Sequence, residues 1–108
     1  MSWKVTEEEK FLIYKPLSLS EKELLAAINI LEFSENVIFD FSDLDFFDAL
    51  VVLIVELHEK QQKNNKSLVV VVPSKEVMHL YEEQFVVVPT ISEARDYVFM
   101  EELQRNFS

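Results

Sequence analysis

The stretch "NVIFDFSDLDFFDALVVLIVELHEK", Asn36 to Lys60, decides the fold of this chain. "NVIFDF" has the length and apolar content of a short buried strand. Acidic and aromatic residues follow, and then eight apolar residues from Ala49 to Leu57, interrupted only by Glu56. At 100° per residue, Glu56, Glu59, Lys60 and Lys63 gather on one side of a helix, which is its solvent face. Leu50, Ile54, Leu57 and Gln61 fall opposite, so the first three are expected to face a sheet. Carrying the polar side back by turns reaches Val52 and Ala49, which are expected outward at the helix start, with Val51 and Val55 at the margin. No glycine marks the corner, and Asp48 is the expected N-cap.

Working outward, the same alternation of short apolar strands and amphipathic helices continues on both sides. Trp3 and Val5 alternate with polar neighbours, "TEEEK" reads as a turn, and "FLIYK" extends to Pro16, which predicts an N-terminal hairpin. "SLSEKELLAAINILEF" carries Ser18 or Ser20 as N-cap with Glu21 or Glu23 three residues on, and Leu24, Ile28 and Leu31 at helical spacing. After the "KNNK" loop come a buried strand "SLVVVV" closed by Pro73, a short helix capped by Ser74, a strand "FVVV", and a last helix with Thr90 and Glu93 as a capping box. The order is ββαβαβαβα. Strands apolar on both faces and separated by helices predict a single α/β domain over residues 1–108, with a mostly parallel mixed sheet, the N-terminal hairpin and about four helices.

Composition excludes several function classes. A chain of 108 residues suffices for one domain that buries roughly 60 to 70% of its unfolded surface. The longest apolar runs, Ala49 to Val55 and Leu68 to Pro73, fall far short of the ~20 residues a membrane helix needs. Twenty acidic against 10 basic residues give a net charge of −10, which repels phosphate backbones and anionic lipid. Neither nucleic acid nor direct membrane insertion is therefore expected. The start "MSWKVTEEEK" is polar and acidic, unlike a signal peptide, so a cytoplasmic location is the expectation. With no cysteine there are no disulfides and no thiolate ligands. With no glycine there is neither a GxGxxG motif nor a P-loop. No cofactor is expected.

The element order and several local words resemble the STAS domain family, the fold of anti-sigma-factor antagonists and of the cytoplasmic modules of sulfate transporters. "NVIFDFSDLDFFD" is similar to the family's strand, turn and second aspartate, placing Asp40 and Asp48 on its two characteristic aspartates. "KSLVVVVPSKEVMHLYE" and "FVVVPTISEARDYV" resemble the elements that follow. The resemblance covers the whole chain and implies a non-enzymatic regulatory module working by partner switching. In the family's antagonists the second aspartate precedes a serine that the partner kinase phosphorylates. Here Asp48 precedes Ala49, which has no hydroxyl and cannot be phosphorylated. The resemblance implies a protein partner, either an anti-sigma factor of the serine-kinase-like ATPase type or another STAS-binding protein. The ATPase of an ABC lipid transporter is the alternative client. Asp48, Ala49, Val51, Val52 and Val55 are the expected partner-binding residues, and the outward apolar residues would equally serve a homodimer.

Other constellations have simpler readings. Asp40, Asp43, Asp45 and Asp48 suggest a hard-metal cluster or an Asp-based phosphotransfer or Mg-dependent hydrolase site. Their spacing over a strand end and a turn lacks the convergence such a site needs, and turn and cap roles account for them. A phosphoacceptor receiver would require an acidic pair and a lysine that the chain does not display. His58 and His79 stand alone on helices, and no catalytic residues are expected. Ser42, in the turn before Asp48, is the remaining candidate hydroxyl for modification.

Overall fold

The computed structural model describes residues 3–17 and 20–107. Strand β1 (Trp3–Glu7) turns back into β2 (Phe11–Pro16), and α1 (Glu21–Asn29), β3 (Asn36–Asp40) and α2 (Asp48–Lys63) follow. The chain continues through β4 (Leu68–Val71), α3 (Lys75–Tyr81), β5 (Val86–Val88) and α4 (Ile91–Phe107). The sheet order is β1-β2-β3-β4-β5. β1 runs antiparallel to β2, and the remaining pairs are parallel, so the expected α/β order and mixed sheet are found.

The central strands lack alternation because both of their faces are covered. Val37 and Phe39 of β3 and Val70 of β4 join Leu24 and Ile28 of α1 and Leu50 and Ile54 of α2 in one core. Ile38, Val69 and Val71 point the other way, into a second core completed by Ala94 and Val98 of α4. Three helices thus cover one sheet face, and α4 supplies the helical residues of the other core. The larger core is rich in stacked rings. Phe39 lies 4.8 Å from Phe41, 5.8 Å from Trp3 and 6.0 Å from Phe33, measured between ring centroids. From Phe41 the series passes through Phe46 and Tyr81 to Phe85. The two sheet edges are poor templates for further strands: β1 exposes Lys4, Thr6 and Glu7, and β5 has only 3 residues.

Helix ends follow local chemistry, with one exception. Ser20 accepts from the Glu23 N–H while the Glu23 carboxylate accepts from the Ser20 N–H, a complete capping box. Ser18, the other candidate cap, lies outside the described residues. Ser74 accepts from Val77 N–H, and Thr90 from Glu93 N–H. At the end of α2 the glycine-free chain solves the left-handed position with asparagine: Asn65 has φ 57°. Its N–H donates to the Gln62 carbonyl and the Lys66 N–H to that of Gln61, which is a Schellman closure.

The exception is the start of α2. Asp48 is not the N-cap; Phe47 is, with φ −144° and ψ 159°, and no side chain caps the helix. The Phe47 carbonyl accepts the Val51 N–H at 3.2 Å, so Asp48 is already the first helical residue. Phe46 and Val51 flank this cap at the two positions of a hydrophobic staple, and both belong to the larger core. Aromatic burial therefore fixes where the helix begins. Asp48 contributes a negative charge beside the positive end of the helix dipole.

Candidate functional site

The surface at the start of α2 is built by mostly apolar residues on two adjacent helices. Leu24, Ala27 and Ile28 face the core from α1, which leaves Leu25, Ala26 and Asn29 toward its neighbour. On α2, Leu50, Ile54 and Leu57 turn inward and Ala49 and Val52 outward, as the periodicity predicts. Between the helices lies an open apolar groove of about 500 Å³, lined by Leu25, Ala26, Asn29, Ala49, Val52 and Leu53. Val52 is 56% exposed, whereas Leu25 and Leu53 form a half-buried floor. Ala26 and Ala49 keep the groove open, because neither carries a side chain beyond its Cβ. By helix spacing, Lys22 stands one turn before Leu25 and Ala26, and Glu56 one turn after Val52 and Leu53, so charges of both signs bound it.

Not every expected residue reaches this surface. Val51 is only 8% exposed and packs in the larger core rather than at the margin, so it is unavailable to a partner. It sits one residue after Leu50 on the inward side and is buried in the same cluster. Val55 is half-buried against the same core. Asp48 and Ala49 are exposed. The α1 half of the groove, Leu25, Ala26 and Asn29, was not legible from α2 alone. Its signal was the "LLAAIN" word, whose core residues leave three neighbours on an adjoining side.

The turn between β3 and α2 is internally tied. One Asp40 carboxylate oxygen accepts both the Ser42 hydroxyl at 2.6 Å and the Ser42 N–H at 3.3 Å. Ser42, the candidate modification site, therefore spends its hydroxyl on the turn. Asp43 pairs with Lys15 at 3.4 Å on the surface. Lys15, Asp40 and Asp43 border a cavity of about 320 Å³ that Leu24, Phe41 and Leu44 also line. Among the described residues no three His, Asp or Glu side chains are grouped to hold a metal ion, so Asp40, Asp43, Asp45 and Asp48 do not converge.

At the opposite end of the parallel strands is a polar cluster that the sequence reading did not find. Asn36, Gln61 and Ser67 are at most 2% exposed. The Asn36 amide donates to the Lys10 carbonyl at 2.9 Å and to Glu102 at 2.6 Å. Its oxygen accepts the Ser67 N–H at 2.8 Å and Arg105 Nη2 at 3.2 Å. The Ser67 hydroxyl donates to Glu101, and Gln61 donates to the Glu35 and Ser67 carbonyls. The Asn36 amide, followed by Arg105, holds the Glu102 carboxyl below its usual pKa. These bonds fasten the last turns of α4 to the strand starts.

His58 lies beside this cluster. It is half-buried, and its Nδ1 is buried without a hydrogen-bond partner. Burial pushes its pKa below the ordinary 6.5, against the opposing charges of Glu101 and Glu59. The folded protein thus prefers neutral His58, and the unfolded chain binds its proton more readily. Stability is expected to fall as pH drops below 6.5 and to level off beneath the lowered folded-state pKa. The His58→Gln variant, followed by urea titration across that window, should lose this slope; an unchanged slope would exclude His58 as its source. His79 is exposed, with Nδ1 3.3 Å from Glu82.

Among the described residues no helix is long and apolar enough to cross a membrane. No protein-family model matches the chain, and a search of curated proteins also returns no match.

Proposed function

We propose that this chain is a STAS-type protein-binding module that receives a partner in the groove between α1 and α2 and acts as a non-enzymatic regulator of the anti-sigma-factor-antagonist kind. The observation that carries this reading is the apolar groove at the helix start following the two aspartates, with Val52 in its lining and 56% exposed. A contiguous apolar concavity bounded by charges is the form that a docking site for a protein takes. The helix start, with its unpaired N–H groups, lies at one end of the groove. In the related antagonists a phosphoserine there would add charge and block docking; Ala49 leaves the site in its receptive form. The partner that fits is a serine-kinase-like ATPase of the anti-sigma type.

The test compares the wild type with Val52→Asp as bait in lysate of the source cells, identifying retained proteins by mass spectrometry. The wild type is expected to retain such an ATPase, and Val52→Asp to bind it at least about tenfold more weakly, a loss of about 1.4 kcal/mol. Stability should change by no more than about 0.5 kcal/mol, because Val52 lies outside the core. Retention of the same proteins by both baits, or of no ATPase, would remove the support for this reading. Recovery of an ABC-transporter ATPase would reassign the client while keeping the groove.

A further inference from the structure

The second half of α4 is inverted. Ala94 and Val98 bury the first half against the sheet, and continuing that direction at 100° per residue brings Glu101, Glu102 and Arg105 inward. They are held there by Asn36 and Ser67. Large apolar residues consequently lie on the outer side: Met100 is 59% exposed, Leu103 56% and Phe107 85%, while Phe99, whose ring meets buried Phe11 edge-on at 6.0 Å, is 43% exposed. From Tyr97 to Phe107 the outward face carries no charge, in a protein whose net charge is −10.

We propose that this face is the interface of a homodimer in which α4 packs antiparallel against α4 of a second copy. Three features select a second copy as the occupant. Phe99, Leu103 and Phe107 are spaced i, i+4, i+8, so the ridge is symmetric about Leu103. A two-fold axis at Leu103 sets that residue against its equivalent and sets Phe99 of each copy against Phe107 of the other, as an isologous contact requires. Charge points the same way. Two copies at −10 each repel wherever acidic residues meet, and this pairing leaves exposed Asp96 and Glu93 beyond the paired segment. Area is the third. The four residues expose together roughly 450 Å² per copy, as much as the largest apolar patch on a typical monomer and over half of the ~800 Å² per partner of a standard interface. The rim residues Gln104 and Asn106 add to it. The surface lies across the sheet from the α1–α2 groove, so the dimer leaves that groove accessible.

The absence of cysteine makes the test direct. Sedimentation equilibrium of the wild type should approach twice the 12.7 kDa chain mass as concentration rises, more readily at high salt, where charge repulsion is screened. Leu103→Glu should weaken association more than tenfold with an unchanged circular dichroism spectrum. Leu103→Cys, with its thiol on the axis, should oxidise to a disulfide-linked dimer much faster than Glu83→Cys, an exposed control. A wild type at the single-chain mass at every concentration would overturn the proposal, whether or not it binds neutral phospholipid vesicles. Association that survives Leu103→Glu, or equal oxidation of the two cysteine variants, would do so too. Association abolished by Val52→Asp instead would move the self-contact to the groove and refute the α4 pairing.

Discussion

Phe39→Ala should lower the stability of this domain by about 4 kcal/mol. Phe39 has no exposed surface, and its ring meets those of Trp3, Tyr14, Phe33 and Phe41. Truncation removes the transfer free energy of the ring and opens a cavity that the surrounding rings cannot collapse to fill, since each is also fixed by other neighbours. For a domain of this size such a loss corresponds to a fall in Tm of very roughly 15 to 30 °C. Urea unfolding should show a lower midpoint at an unchanged slope, because the surface exposed on unfolding hardly changes. Ile30→Ala, at a residue 80% exposed, provides the contrast and should move stability by at most about 0.5 kcal/mol. A loss under about 2 kcal/mol for Phe39→Ala would mean that the ring cluster relaxes and that Phe39 is not its hub.

The second large effect is expected at a polar residue. Asn36→Ala removes the acceptor for Ser67 N–H and Arg105 and the donor to Lys10 and Glu102. Stranding buried partners costs about 1 to 3 kcal/mol each where water cannot replace the bond, and a total near 3 kcal/mol is expected because Arg105 and Glu102 keep each other. The loss should be local in hydrogen exchange, with the last turns of α4 and the starts of β3 and β4 losing most protection. Asn36→Asp sharpens the test by its pH dependence. It places a second carboxylate beside Glu102, so the pair holds a proton above the ordinary carboxylate range in the folded state. Folding then takes up protons, and the variant should gain stability relative to wild type as pH falls toward that range. Equal pH profiles for Asn36→Asp and wild type would show that Asn36 and Glu102 do not meet in solution.

These two residues show where sequence was legible. Phe39 belongs to "NVIFDF", and an apolar run of that length between an amphipathic helix and a turn reads as a buried strand wherever it occurs. Asn36, at the start of the same run, reads as a boundary residue. Its role depends on Lys10, Ser67, Glu102 and Arg105, which lie 26 to 69 positions away in the chain. The same contrast holds at α2. The inward line Leu50, Ile54, Leu57 and the outward pair Ala49 and Val52 follow from periodicity. The cap at Phe47 and the burial of Val51 do not, because ring packing, rather than the hydrogen-bonding power of Asp48, sets the first turn.

The sequence by itself determined the order of elements, the mixed sheet, the capped starts of α1, α3 and α4, and the outward placement of Ala49 and Val52. The caps and the helix faces arise from local hydrogen bonds and short-range periodicity, which act between residues a few positions apart, and the sheet is legible because strands apolar on both faces alternate with amphipathic helices. The tertiary structure alone decided that Leu25, Ala26 and Asn29 complete the groove, that Val51 is core, and that the charges of the last turns of α4 are drawn inward while Met100, Leu103 and Phe107 face out. Those outcomes rest on contacts between distant segments. A charged residue with a buried partner across the fold reverses the side on which a helix would otherwise hide its apolar face.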